Sequence, residues 1–350
     1  MAEANAISVP EIKAARAENP KMRDRDLADK LGISEAQLVA ADVGETVTRI
    51  TADMDRIMPA LGRFGEVMAL TRNESCVIEK VGEYDNYTAG EHAAMIVNET
   101  IDLRMFPKHW VHGFAIEQET ERGMRRTIQV FDAAGDAVHK VFLRDGSNAA
   151  EWPAVVAELR IEDQSNSLTV EPRSPTEPAK GDPEKAEKLR AEWDKLTDTH
   201  QFLMMTRRMK MNRLGAYRIA GEPYARRLAP EAVEQLLHQA AETETPIMVF
   251  VGNMGCIEIH TGPIKKIVEM GPWINVLDPG FDMHLRRDHI AEVHAVTKNT
   301  KRGDAISVEA FDAEGGLIVQ FFGVLRDAEA ARKWNALVAG LETCAEGVPA

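Results

Sequence analysis

A chain of 350 residues is too long for one ordinary hydrophobic core and suits two domains of about 150 residues each. Its 44% hydrophobic and 28% charged residues exclude wholesale disorder, and a formal charge of -14 repels polyanions at long range, which disfavours nucleic acid as a partner. No apolar run approaches the roughly 18 residues of a membrane span, the start Met-Ala-Glu-Ala-Asn lacks the order of a secretory signal, and three cysteines without CxxC spacing fit buried thiols in a reducing compartment; the expectation is a cytoplasmic protein without membrane insertion.

Near the N-terminus, the run from Arg25 to Val39 has the Leu-Ala-x-x-Leu-Gly-Ile-Ser layout of a helix-turn-helix. The helix that would enter a groove, Ser34 to Asp42, carries two acids and no base. A structural helix hairpin is the favoured reading, and a DNA-binding regulator the lesser one. Segments at Ser75–Lys80, Trp110–Glu117, Thr127–Phe131 and Ala137–Leu143 are short, rich in β-branched and aromatic residues and divided by turns, so they predict antiparallel strands. Trp152, Val155, Val156 and Leu159 then form the apolar stripe of a closing helix.

The same order recurs. Asn73, Cys76 and Gly82 return as Asn253, Cys256 and Gly262, an offset of 180. That offset also pairs Asp102 with Asp282, Arg122-Gly123 with Arg302-Gly303, and Phe131-Asp-Ala133 with Phe311-Asp-Ala313, and the closing stripe returns at Trp334, Leu337, Val338 and Leu341. A period this long makes each copy a whole domain. The prediction is an α+β fold, a tandem duplication of one domain, each with an antiparallel sheet flanked by helices: repeats at 1–170 and 184–350, joined by a proline-rich linker at 171–183.

After the linker, Pro183 to Met211 is rich in helix formers. Leu189, Trp193, Leu196, His200 and Leu203 step by 4, 3, 4 and 3, which puts His200 on the apolar face of one helix; alternatively, Thr197 or Asp198 caps a second helix with His200 in its first turn. A lone histidine is more often core filling than a ligand, but either reading supplies a neutral nitrogen. No HxxxH, HExxH or paired-carboxylate motif accompanies it, so a non-haem centre lacks further ligands, whereas haem needs only one. Met204, Met205, Met209 and Met211 crowd the same segment and are more plausible as core filling than as ligands.

Four runs carry a resemblance: Arg72-Asn-Glu-Ser-Cys-Val-Ile-Glu-Lys-Val-Gly82, Ile101-Asp-Leu-Arg-Met-Phe106, Thr197-Asp-Thr-His-Gln-Phe202 and Asn275-Val-Leu-Asp-Pro-Gly-Phe-Asp-Met-His-Leu285. Together they resemble the bacterial haem-degrading factors of the HemS/ChuS type over nearly the whole chain. The resemblance implies haem b held in the cleft between the halves, with His200 binding iron and Arg104 on the distal side beside Phe106. It implies propionate contacts at Arg213, Lys298 and Gln320, and further haem-binding positions at Phe250, Phe322 and Arg326. One departure stands on the last strand, where Gln320-Phe-Phe-Gly-Val-Leu-Arg326 has Phe322 in place of the family's tyrosine and the arginine displaced by one, which strand alternation would turn to the other face. His284 occupies the position matched to Arg104 and is the lesser candidate for a second haem site. The implied activity is oxidative opening of the porphyrin with O2 and an external reductant. Its alternative is a chaperone that passes intact haem between an import transporter and a downstream oxygenase.

Overall fold

The computed structural model describes residues 7–121, 123–301 and 303–344, so Arg122 and Arg302 of the repeat pattern lie outside the described residues. The first repeat opens with α1 (Val9–Glu18), α2 (Asp24–Leu31), α3 (Glu35–Ala40), β1 (Val47–Ile50) and α4 (Met54–Gly62). Strands β2 (Val67–Arg72), β3 (Cys76–Gly82), β4 (Tyr87–Thr88), β5 (Ala94–Val97), β6 (Asp102–Met105), β7 (His112–Thr120), β8 (Gly123–Phe131) and β9 (Ala137–Leu143) follow, and α5 (Trp152–Leu159) closes the repeat. The second repeat runs through α6 (Ala186–Trp193), α7 (Gln201–Arg208), α8 (Arg213–Ala220), β10 (Ala225–Leu228) and α9 (Ala232–Glu242). It continues as β11 (Ile247–Gly252), β12 (Cys256–Gly262), β13 (Ile267–Met270), β14 (Trp273–Asp278), β15 (Phe281–Arg286), β16 (Glu292–Lys298), β17 (Ala305–Phe311), β18 (Leu317–Gly323) and α10 (Ala328–Ala339). The fold is a tandemly duplicated α+β unit with antiparallel sheets and flanking helices. The 180-residue offset carries β2, β3 and β9 end for end onto β11, β12 and β18.

The recurring sidechains are turn makers. Asn73 Oδ1 accepts the backbone N–H groups of Ser75 and Cys76, both at 2.9 Å, and Asn253 Oδ1 accepts those of Gly255 and Cys256 at 2.9 and 3.0 Å. Each asparagine thus closes the turn into the following strand. Asp132 and Asp312 do the same for the turns into β9 and β18, accepting from the residues two and four places on, with Gly135 and Gly315 supplying the positive φ.

The chain divides into two units. The first holds the described residues up to Arg72, Glu79–Ser174 and Gly252–Glu258; the second holds Asn73–Ile78, Pro175–Val251 and the described residues from Ile259 on. Within the first, β1, β7, β8, β9 and β2 pair in that order, and β4, β5 and β6 pair with Cys256–Glu258. Within the second, β10, β16, β17, β18 and β11 pair in order, as do β13, β14 and β15. Helices α4 and α5 cover one face of the first sheet, and α9 and α10 the corresponding face of the second.

The opposite faces are covered differently. In the first unit α3 lies there, held by a Ser34–Gln37 capping box, with most of its residues buried. The helix that the sequence offered to a DNA groove therefore spends its side chains on the core, and Glu35 pairs with Arg72 at 2.7 Å and with Lys140. In the second unit α6, α7 and α8 pack on the sheet through Trp193, Phe202, Met205, Leu214 and Tyr217. The proline-rich stretch has no helix or strand from Glu171 to Asp182 and is tied down along its length: Glu171 N–H donates to Ala133 O at 2.7 Å, and Lys180 N–H to Asn212 Oδ1 at 2.9 Å. Gly215 leaves room for it, since a Cβ there would stand 2.0 Å from Lys180 O. Among the described residues no helix is long and apolar enough to cross a membrane.

One core position is chemically out of place. Glu258 is fully buried in the first unit, where the repeat puts Ile78 in the second, and among the described residues no group is in hydrogen-bonding geometry with either carboxylate oxygen. The Thr71 hydroxyl is instead 2.8 Å from His139 Nδ1, and Tyr84 Oη is 2.5 Å from the other ring nitrogen. Burial raises the Glu258 carboxyl to about 8, with the Lys80 ammonium opposing. The folded chain therefore keeps a proton that the unfolded chain releases near the ordinary value of 4.5, so this residue costs stability increasingly as pH rises between those values. Glu258→Ile is expected to stabilise the protein by a few kcal/mol at about pH 8 and by much less at about pH 5. Urea denaturation at both pH values checks this; an offset independent of pH would show that the carboxyl is already ionised in the native state.

Candidate functional site

The helix expected from Pro183 to Met211 is broken into α6 and α7. The break explains the Thr-Asp-x-His-Gln run. Gln201 Oε1 accepts the Thr197 N–H at 2.9 Å, and Asp198 Oδ1 accepts the His200 N–H at 2.8 Å, so two side chains satisfy backbone donors of the turn that leads into α7. His200 is the residue before the first helical position, and its side chain is 93% exposed, not turned into the apolar face. Of the two readings, a second helix does form, but it begins at Gln201, with His200 at its N-cap position rather than in its first turn.

The same Asp198 oxygen lies 2.6 Å from His200 Nδ1. A carboxylate only accepts, so Nδ1 carries a proton, and in the Nδ1–H tautomer the lone pair lies on Nε2 of a side chain that is 93% exposed. Hydrogen bonds from the His200 N–H and ring hold the Asp198 carboxyl below its usual range. An oriented imidazole with a free nitrogen is what a metal asks of a single protein ligand.

Three of the other expected residues come together on the sheet of the same unit. Gln320 on β18 lies opposite Phe250 on β11 and Glu309 on β17, which places all three on one face. Phe322 follows two residues on, and its ring meets Phe250 edge-on at 5.0 Å; both rings are half-buried. This is the face on which α7 and α8 pack. Arg326 lies beyond the end of β18 and is exposed, so strand alternation does not govern it.

Arg213 and Lys298 are also joined, through a residue the sequence reading did not mark. Glu309 is fully buried and accepts from Arg213 at 2.8 Å, Lys298 Nζ at 2.9 Å, Tyr217 Oη at 2.9 Å and Ser307 Oγ at 2.8 Å. Burial opposes its ionisation, but Lys298 and Arg213 outweigh that and hold the carboxyl far below its usual range. Lys298 itself is buried, with its ammonium over the rings of Phe202 and Tyr217. The signal that could have exposed Glu309 was its place as the only acid in the otherwise apolar or neutral strand Ala305–Phe311.

Arg104 and Phe106 belong to the first unit. Arg104 lies on β6, 37% exposed in its side chain, paired with Asp102 and donating to Leu103 O at 3.1 Å. Phe106 follows on the same side and is half-buried, its N–H donating to Gly255 O at 2.9 Å. His284, the lesser candidate, stands opposite Asn275 on β14 with Nδ1 at 2.7 Å from the Asn275 side-chain oxygen. Met205, Met209 and Met211 are buried core residues, while Met204 is exposed.

Two stretches, 32–159 and 210–341, match the family described as the haemin-degrading HemS.ChuX domain. The chain belongs to that family. A member named hemin transport protein HmuS from Yersinia pestis is 37% identical over 96% of this chain and 98% of its own length; hemin transport protein HemS from Yersinia enterocolitica is 39% identical over 88% and 89%. Among solved members, holo-PhuS, a heme-binding protein from Pseudomonas aeruginosa, superposes with a TM-score of 0.91 at 42% identity, covering 97% of this chain and all of that one. ChuS, described as an E. coli heme oxygenase, superposes with a TM-score of 0.83 at 33% identity over 93% of this chain and 98% of its own.

The buried cluster of this family member gives a prediction. Glu309→Gln leaves Lys298 and Arg213 facing one another without their anion, a change that typically costs about 3–5 kcal/mol. Chemical denaturation measures it, and adding Lys298→Met should recover part of the loss. Additive losses would mean that the two groups do not interact.

Proposed function

We propose that the protein binds haem b through His200 and opens the porphyrin oxidatively to release iron, using O2 and an external electron donor in the cytoplasm. The observation that carries the reading is the His200 imidazole, exposed and aimed by Asp198 with Nε2 free. Phe250 and Phe322 offer half-buried aromatic surface, and Gln320 a neutral donor, on the face where α7 and α8 pack. Arg213 and Lys298 bring two cations to one anion, a surplus that suits a ligand carrying carboxylates.

Bound haem would supply the redox chemistry, as both cofactor and substrate. The chain's part is to hold and orient. Asp198 fixes the imidazole tautomer, the start of α7 fixes the ring's position, and the rings of Phe250 and Phe322 exclude water from the sheet face. Arg104 is assigned the distal role that the family resemblance implies, where a guanidinium donates a hydrogen bond without losing its charge. Arg326, exposed beyond β18, is an assignment of the same kind.

Carriage of intact haem from an import transporter to a separate oxygenase is the second reading, favoured by the relatives named as hemin transport proteins. Haem added to the apo protein, followed by reductant, O2 and catalase, separates the two: loss of the Soret band with bilin-like product and released iron supports degradation, and a stable band supports carriage. His200→Ala should weaken haem binding and change the ferric spectrum, while substitution of His284 should do neither; an unchanged His200→Ala spectrum would remove the ligand assignment. Arg104→Ala should keep most haem affinity yet alter the lifetime of the oxygenated complex about tenfold or more, the scale of one charge-assisted hydrogen bond. Equal lifetimes in stopped-flow spectra would show that the guanidinium acts elsewhere.

A further inference from the structure

The guanidinium of Arg104 is held from within its own strand. Asp102 and Arg104 stand two residues apart on β6 and so share a face, where Arg104 Nη1 donates to the Asp102 carboxylate. Nη1 also donates to Leu103 O at 3.1 Å, whereas Nε and Nη2 have no hydrogen-bond partner among the described residues. A guanidinium carries its N–H donors in a rigid planar fork, so one nitrogen can be spent on an acid while the others stay free for a ligand.

The lateral neighbours on that face offer no comparable hold. Arg104 lies opposite Met95 on β5 and Ile257 on β12, and Asp102 lies opposite Val97; none of the three side chains is a strong acceptor. The second repeat meets the same need sideways. There His284 takes the place of Arg104 and Asn275 the place of Met95, and the Asn275 side-chain oxygen lies 2.7 Å from His284 Nδ1. With a thioether where that asparagine stands, the first repeat leaves Arg104 the acid on its own strand. Asp102 is the more enclosed partner, its side chain 20% exposed against 37%. Burial pushes its carboxyl above the usual range while Arg104 and Lys80 oppose, so the anion depends on the guanidinium as the guanidinium does on it. A long, partly exposed side chain samples many rotamers unless something fixes it.

We propose that Asp102 is the positioning residue for Arg104: it fixes where the guanidinium stands, so that Nε and Nη2 are already placed for a negatively charged ligand on the distal side of haem. This rests on the reading of Arg104 as the distal group and adds to it the residue that aims it.

The test measures azide affinity of the ferric haem complex at one neutral pH, because azide is an anion that a fixed guanidinium stabilises. Wild type, Arg104→Ala, Asp102→Asn, Asp102→Glu and the Asp102→Asn/Arg104→Ala double variant are compared, with the haem affinity and thermal melt of each. Arg104→Ala and Asp102→Asn are each expected to weaken azide binding about tenfold or more, with haem affinity largely kept and the double variant no weaker than Arg104→Ala. Asp102→Glu, which keeps the charge but moves it by one methylene, should fall between Asp102→Asn and the wild type, and it carries the test alone if Asp102→Asn does not fold. A rise in azide affinity in Asp102→Asn would show that the acid only screens the guanidinium; additive losses, or an Asp102→Glu complex equal to the wild type, would show that it does not aim it. Each of these overturns the proposal. An Arg104→Ala complex with unchanged azide affinity, or a wild-type protein that takes up no haem, would instead overturn the reading on which the proposal rests.

Discussion

A carboxylate shut away from water can be kept ionised only if its lone pairs are met by donors, and the second unit satisfies that condition at Glu309 with four of them. The donors come from different elements: Arg213 and Tyr217 from α8, Lys298 from β16, and Ser307 from the strand that carries Glu309 itself. Through Lys298 the cluster also touches the Phe202 ring, two residues beyond His200. The orientation of α8 on the sheet and the seating of the first turn of α7 are thus set by charge pairing as well as by apolar packing. Apolar surfaces alone would let the helices slide; a fourfold-bonded anion would not.

The duplicated frame makes the specialisation of each unit visible by subtraction. At the positions matched to Glu309, Gln320 and Phe250 the first unit has Gln129, Lys140 and Leu70, and it pairs its buried cation with Glu35 of α3 rather than with a neighbour on the sheet. The second unit uses the corresponding space for α7 and α8, and with them His200. At Glu258 the contrast reverses, since the first unit buries an acid where the second has Ile78. One backbone plan therefore supports two distributions of buried charge.

Much of this plan was legible in the chain. The constant offset located matching strands to the residue because Asn73, Asn253, Asp132 and Asp312 are turn closers, and turns tolerate few substitutes. The four-residue strands β1 and β10 went unread, since so short a run has no periodicity to measure. The unbroken helix through His200 failed for a related reason: 3.6-residue spacing continued across the turn by coincidence, and only the turn residues Asp198 and Gln201 marked the break. Glu309 was missed because a local pattern ranks an acid as exposed, and its partners Arg213, Tyr217 and Lys298 lie up to 96 residues away. The side chains that meet on the sheet face were likewise named from resemblance, not from spacing.

The assignment of Gly252–Glu258 to the first unit bears on how the chain is made. Domains emerging from a ribosome generally fold as units, N-terminal first. Here the strand beside β6 and the Cys256 side chain of the first core are not available when the proline-rich stretch leaves the exit tunnel. The first unit must wait, with part of its apolar interior uncovered, until translation has passed Glu258. Its completion is therefore an event in the synthesis of the second repeat, and it precedes closure of the second core only by the time needed to make the strands and helix that end at Leu341.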